Sequence, residues 1–160
     1  MSKVLVSYFS ASGVTEKVAE ELAKVEGADL FKITPETAYT PADLDWRDKQ
    51  SRSTLEMSDP NCRPAVTGKV ENMDQYDVVF VGFPIWWGRE PSVVDTFLDA
   101  YSFKGKKVIP FCTSGGSGIG KTADRIRSIV GEDVSVDTGK RLGGQISEED
   151  LKLWTDGLQL

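Results

Sequence analysis

The side chains able to do chemistry fall in three short stretches. The first is Ser10-Ala11-Ser12-Gly13-Val14-Thr15, directly after the apolar run Val4-Leu5-Val6-Ser7-Tyr8-Phe9. Ser10, Ser12 and Thr15 offer hydroxyl donors, and Gly13 lets the backbone turn tightly and approach a ligand. Val14, Val18, Leu22 and Val25 recur at helical spacing, so the stretch reads as a strand, a hydroxyl-rich loop and a helix start. The free N–H groups and dipole of a helix start suit a phosphate. No Lys or Arg lies between Ser10 and Glu16. Neutral donors would therefore hold such an anion, which points to a resident cofactor rather than to phosphoryl transfer. The plain alternative is a strand–turn–helix with Ser12 as N-cap.

The second stretch is Pro84-Ile85-Trp86-Trp87-Gly88, after the run Val78–Phe83. Two adjacent indoles in a loop are costly to expose, and a flat aromatic ligand is their natural partner. Core filling or a subunit contact is the bland reading. Adjacent side chains seldom point the same way, so at most one of the two is a stacking platform. Gly88 gives the peptide before it freedom to reorient. The third stretch, Thr113-Ser114-Gly115-Gly116-Ser117-Gly118, carries little bulk. It can bring backbone amides and carbonyls against the polar edge of a planar ring. A flexible turn would have the same composition, but glycines this dense are expensive in chain entropy.

The rest of the chain supplies the elements that hold these loops. Val4–Phe9, Val78–Phe83 and Lys106–Cys112 are apolar runs, as expected of strands covered on both faces. Ala28–Thr34 and Val134–Val136 are mixed, as befits sheet edges. Pro110 inside the third apolar run predicts a local irregularity, because a central strand needs every N–H. Helices are expected after Gly13, from Pro91, and after Gly118, the third of these carrying Ile119, Ala123, Ile126, Ile129 and Val130. A last helix starts at Ser147, with Leu151, Trp154 and Leu158 on its core face. Thr40-Pro41 predicts a further helix to about Met57, anchored by Leu44, Trp46, Leu55 and Met57. Cys62–Lys69 reads as irregular, and Asn72–Tyr76 as one helical turn. The alternation implies one doubly wound α/β domain over residues 1–160. Its layers are α/β/α and its five-stranded parallel sheet has the order 2-1-3-4-5. Ligands bind such sheets at the carboxyl ends of the strands, where all three loops lie.

Composition narrows the chemistry. The chain has 160 residues, a net charge of −6 and no histidine. The acidic balance argues against nucleic acid and anionic membranes as partners, and no run reaches spanning length. Nothing resembles a signal peptide, so a cytoplasmic protein is expected. Without histidine there is no Ser–His–Asp triad and no imidazole metal site. Cys62 and Cys112 are far apart and form no Cys-x-x-Cys pair. Cys112 reads as a small buried hydrophobe.

These three stretches resemble those of the flavodoxin family, in order and over essentially the whole chain. Ser10–Thr15 looks like its phosphate loop, Pro84–Gly88 its first flavin loop and Thr113–Ser117 its second. The resemblance implies non-covalently bound FMN and electron transfer through the exposed ring edge. It implies that Ser10, Ser12 and Thr15 bond the phosphate with the amides of Ala11, Gly13 and Val14. It aligns Trp86 with the stacking aromatic, and Trp87-Gly88 with a peptide near flavin N5 that can turn. Thr113, Ser114, Gly115, Gly116 and Ser117 would surround the pyrimidine edge. Partners would be a reductase and an electron-accepting protein. The second stacking aromatic that many members carry is replaced here by glycine and serine. That opens one ring face and admits an alternative: an FMN enzyme that takes hydride from NAD(P)H and reduces a small quinone-like substrate.

Other ligands fit less well. Gly115–Thr122 matches the phosphate-binding pattern Gly-x-x-x-x-Gly-Lys-Thr, but it follows the fourth strand rather than the first. A receiver domain needs acidic residues after the first strand and an aspartate after the third, where this chain has Ser10 and Phe83-Pro84. A dinucleotide fold wants Gly-x-Gly-x-x-Gly after the first strand, which Ser10–Thr15 does not supply.

Overall fold

The computed structural model describes residues 3–113, 118–143, 146–158 and 160. Its centre is built by three strands whose side chains alternate between two apolar layers. These are β1 (Val4–Tyr8), β5 (Val78–Pro84) and β6 (Lys107–Thr113). Leu5, Val79, Val81, Phe83, Val108 and Cys112 enter one layer, and Val4, Val6, Tyr8, Phe80, Ile109 and Phe111 the other. Helices α3 (Ser92–Asp99) and α4 (Thr122–Val130) cover the first layer through Val93, Val94, Phe97, Leu98, Ala123 and Ile126. Helices α1 (Val14–Glu26) and α5 (Glu148–Gly157) cover the second through Val18, Ala19, Leu22 and Leu151. The result is the expected three-layer α/β/α arrangement.

The sheet is parallel at every pairing. Strand β2 (Asp29–Lys32) lies outside β1, followed by β5 and β6. The far edge is shared by β7 (Ser135–Val136) and β8 (Lys140–Arg141), both paired to β6. This is the expected 2-1-3-4-5 order with its last position split. Pro110 accounts for the split. The carbonyls of Val108 and Cys112 accept from Asp137 and Leu142 across this edge, at 2.9 and 2.8 Å. Pro110 faces the same edge between them and has no N–H to give, and the pairing lapses there. Gly139 fills the gap at φ +80°, where a Cβ would lie 2.4 Å from the Pro110 carbonyl oxygen.

The expected helix from Pro41 to Met57 is replaced by a turn and the short helix α2 (Arg52–Met57). Thr40 and Asp43 do form a reciprocal cap, at 3.1 and 2.9 Å. The turn then stops, because the Asp45 and Asp48 carboxylates take the amides of Arg47 and Gln50, at 3.1 and 2.9 Å. Such local bonds compete with the helical ladder. Ser51 caps the chain afresh through the Thr54 amide. Of the four predicted anchors only Met57 is buried, and Trp46 is 69% exposed. The expected second strand ends early: Thr34–Pro35 forms β3, antiparallel to β4 (Val66–Thr67), in a segment the sequence reads as irregular. Among the described residues no helix is long and apolar enough to cross a membrane.

Candidate functional site at the carboxyl edge of the sheet

The first loop leaves β1 and turns at Gly13, which takes φ +91° and stands as N-cap of α1. The Gly13 amide donates to Ser10 Oγ at 3.0 Å, and its carbonyl accepts from Lys17 at 3.1 Å. Among the described residues no side chain caps α1. Ser12 is therefore not the cap of an ordinary turn, and the first-turn amides remain available to an external acceptor. Ala11, Ser12, Gly13 and Val14 are exposed. Thr15 is not: it is buried, with its hydroxyl 2.7 Å from that of Thr113.

The second loop is a tight hairpin. Trp86 and Arg89 exchange backbone bonds at 3.0 and 3.1 Å, and the central residues Trp87 and Gly88 take φ +50° and +76°. Positive φ at both centres marks a type I′ turn. Reversing the central peptide would give the mirror type II turn, which wants glycine at its first centre. Tryptophan stands there, so the peptide expected to reorient freely is restrained on its Trp87 side. The Trp86 indole is fixed edge-on against Phe9 and Tyr39, with centroids 5.5 and 5.4 Å away. Trp87 is 49% exposed. Packing thus divides the two rings into one that is held and one that is presented.

Thr113 joins all three loops. Its side chain meets Thr15 of the first, and its carbonyl accepts the Ile85 amide of the second at 3.1 Å. It is itself the first residue of the third. Ser114, Gly115, Gly116 and Ser117, expected at a ring edge, lie outside the described residues. Where the chain resumes, Gly120 takes φ +61°, and a Cβ there would lie 3.6 Å from the Gly88 carbonyl. The exit of the third loop thus passes the tip of the tryptophan turn. In a nucleotide-triphosphate loop the Thr122 hydroxyl would serve a metal. Here it is buried and donates to the Ile119 carbonyl at 2.7 Å.

Sequence reasoning misses the charged cluster behind the tryptophan turn. Glu90 and Asp95 are fully buried. Arg125 bonds Glu90 at 2.6 Å and Asp95 at 3.0 Å, while Arg89 and Arg63 approach Asp95 at 3.4 and 3.8 Å. Burial raises the Asp95 carboxyl to about 7, Glu90's charge adds to the rise, and the arginines oppose it. Burial likewise lifts Glu90, against the pull of Arg125. Arg89 also donates to the Met57 carbonyl at 3.2 Å. The cluster therefore ties the turn to α2, α3 and α4. Arg63 is spent here and on Asp99. The pattern Arg-Glu-Pro-Ser reads in sequence only as a helix start, since periodicity reports apolar burial and is blind to buried ion pairs.

A second unforeseen feature is a cleft of about 280 Å³ beside the turn, lined by Leu44, Trp46, Ser53, Ile85, Trp86 and Trp87. Its outer wall comes from the segment between β3 and β4. Arg52 braces that wall: it lies 3.9 Å from the Tyr39 ring centroid, bonds Glu56 at 3.1 Å and donates to the Thr37 carbonyl at 2.7 Å. The Tyr39 hydroxyl donates to Glu56, and burial with this bond holds its pKa well above the usual phenol range. Cys112 is buried and its thiol is pushed up to about 11 by burial, which agrees with a packing role.

This sheet order, with its ligand-facing loops at one edge, defines a flavodoxin-like α/β protein. The flavodoxin family model matches residues 3–158, and the chain belongs to the flavodoxin family. A crystal structure from Bacteroides eggerthii DSM 20697, assigned as a flavoprotein, is 46% identical with a TM-score of 0.94. The match covers 100% of this chain and 99% of that one. A flavoprotein from Lactobacillus acidophilus NCFM, solved in complex with FMN, shares the fold at 20% identity and TM-score 0.71, over 97% and 99% of the two chains. The NAD(P)H dehydrogenase (quinone) of Acidovorax ebreus is 35% identical over 99 residues, 62% of this chain and 46% of that protein. The chain thus spans about half the length of the curated relatives it matches.

Proposed function

We propose that the chain binds FMN non-covalently across the three loops and works as a flavodoxin-type electron carrier. The observation that carries this reading is the convergence on Thr113. One residue ties an uncapped helix start to a tryptophan turn and opens the third loop. The residues fit the group. Ser10, Ser12 and the amides of Ala11 and Val14 would take the phosphate without a cation, as neutral donors at a helix start can, joined by the Gly13 amide if it exchanges its bond to Ser10 Oγ for the phosphate. Pro84–Gly88 would flank the ring, and Thr113–Ser117 its polar edge. The bound flavin would supply the redox chemistry. The protein's own part is to fix the turn through the Trp86 packing and the buried ion cluster, and to leave the Trp87 side open. The acidic surface, at net charge −6, fits a cytoplasmic carrier docking on basic faces of a reductase and an electron-accepting protein.

The test is the visible spectrum of freshly purified protein, then stepwise anaerobic reduction. A yellow protein reduced in two resolved one-electron steps supports the carrier. The second reading is an FMN-dependent NAD(P)H:quinone oxidoreductase. The names of the curated relatives and the open tryptophan cleft favour it. Rapid anaerobic bleaching by NADPH alone, without a reductase, would select that reading over the carrier.

A further inference from the structure

Trp46 has no place in the core: its side chain is 69% exposed. A single exposed apolar side chain asks for no explanation, but Trp46 is not single. It lines one cleft together with Trp86 and the half-exposed Trp87. The turn that carries it is folded rather than loose. The Asp45 and Asp48 carboxylates accept the amides of Arg47 and Gln50, at 3.1 and 2.9 Å, and the Ser53 amide donates to the Asp43 carbonyl at 3.0 Å. The Arg47 guanidinium lies 5.2 Å from the Trp46 ring centroid, within cation–π range. A large indole is thus held out of the core by a well-bonded turn.

What the indole faces follows from its neighbours. Ile85, Trp86 and Trp87 on one wall belong to the stretch expected to flank the flavin ring, whereas sequence reasoning assigns no ligand to Leu44, Trp46 and Ser53 on the other. Trp86 packs against Phe9, the residue before Ser10, and both pack against Tyr39 on the segment that carries Trp46. One aromatic cluster therefore joins the loop that starts at Ser10, the tryptophan turn and the Trp46 wall. Among the described residues no charged side chain lines the cleft, which suits a neutral oxidised ring. Its volume of about 280 Å³ is near the lower limit of small-molecule sites, about 300 Å³. That gives room to one flat ring system, with the ribityl phosphate outside it.

We propose that Trp46 is a cofactor-binding residue: the flavin ring lies in the cleft between its indole and the tryptophan turn. Trp46 then supplies, from the segment between β3 and β4, the second aromatic face that the glycines and serines of the third loop cannot. This deepens the flavin reading and rests on it. The exposed surface of Trp46 is the surface that the ring buries. A cleft filled by the flavin offers no space to a nicotinamide, so the arrangement sides with the electron carrier.

The experiment uses the full chain as wild type, Trp46→Ala and Trp46→Phe, each freed of flavin and titrated separately with FMN and riboflavin. Both ligands should bind Trp46→Ala about tenfold more weakly, the loss of one stacking partner. The factor should be the same for the two, because they share the ring. Trp46→Phe should recover most of the loss, and the flavin-free variants should melt with the wild type, since the side chain they change is exposed. A footprint reads the position directly. Mild oxidation by N-bromosuccinimide, mapped by mass spectrometry, should modify Trp46 in the flavin-free wild type and spare it once FMN is bound. Unchanged affinity in Trp46→Ala, or a Trp46 equally reactive with and without bound FMN, would overturn the proposal and leave the flavin reading standing. A loss confined to FMN would place Trp46 at the phosphate and also overturn it. Failure of the wild type to bind either flavin would instead defeat the flavin reading, and the assignment of Trp46 with it.

Discussion

The bond between the Thr15 and Thr113 hydroxyls, 2.7 Å long and buried on both sides, makes a prediction that separates a true joint from a chance contact. Replacing either threonine by valine keeps the branched shape and removes one partner. The surviving hydroxyl is then buried without it, at a cost of about 1–3 kcal/mol. Replacing both removes the polar demand altogether, and matched apolar pairs can be nearly neutral. Thr15→Val and Thr113→Val should therefore each cost about 1–2 kcal/mol, while the double variant costs less than their sum by a similar amount. The assay is urea unfolding of the FMN-free chain at constant slope, with the midpoint converted to free energy. Strictly additive losses would show that the hydroxyls act independently. They would also remove the main physical link between the first and third loops.

Gly139→Ala should lower stability by about 1–3 kcal/mol, the cost of a strained backbone position. It places a Cβ 2.4 Å from the Pro110 carbonyl at a positive φ, and a melting curve within a degree of wild type would refute the close packing. Asp95 makes a pH-dependent prediction. Its carboxyl is raised from 3.8 to about 7 in the fold, so the fold prefers its protonated form. That contribution is complete below about pH 4 and is lost as pH rises through 7. Relative to Asp95→Asn, the wild type should lose on the order of 2 kcal/mol between pH 5 and pH 8, read as urea midpoints at the two values. A constant difference between the proteins would show that the arginines fully offset the burial.

How much of this was legible in the sequence depends on the kind of force involved. The apolar runs and helical repeats report burial directly, and they gave the sheet order, the two helix layers and the irregularity at Pro110. The three loops were found because strand ends are fixed once strands are fixed. The helix from Pro41 was misread because Asp45 and Asp48 use their side chains against the backbone, a competition that periodicity cannot express. The roles of Glu90, Asp95 and Arg125 were hidden because a buried charge looks in sequence like a solvated one. Thr15 carries a hydroxyl at the right spacing for a phosphate, but only the packed structure shows that this hydroxyl also serves Thr113. The cleft wall of Leu44, Trp46 and Ser53 was out of reach for the same reason: it is assembled by turns, not by a repeat.

Under the proposed function, an anionic cofactor is held at the uncapped start of α1. The most direct test titrates the FMN-free chain with FMN and, separately, with riboflavin, which carries the same ring and no phosphate. Stoichiometric FMN binding, with riboflavin weaker by at least about tenfold for the lost charge-assisted bonds, is the predicted result. Equal affinity for the two, or no binding of FMN, would contradict it.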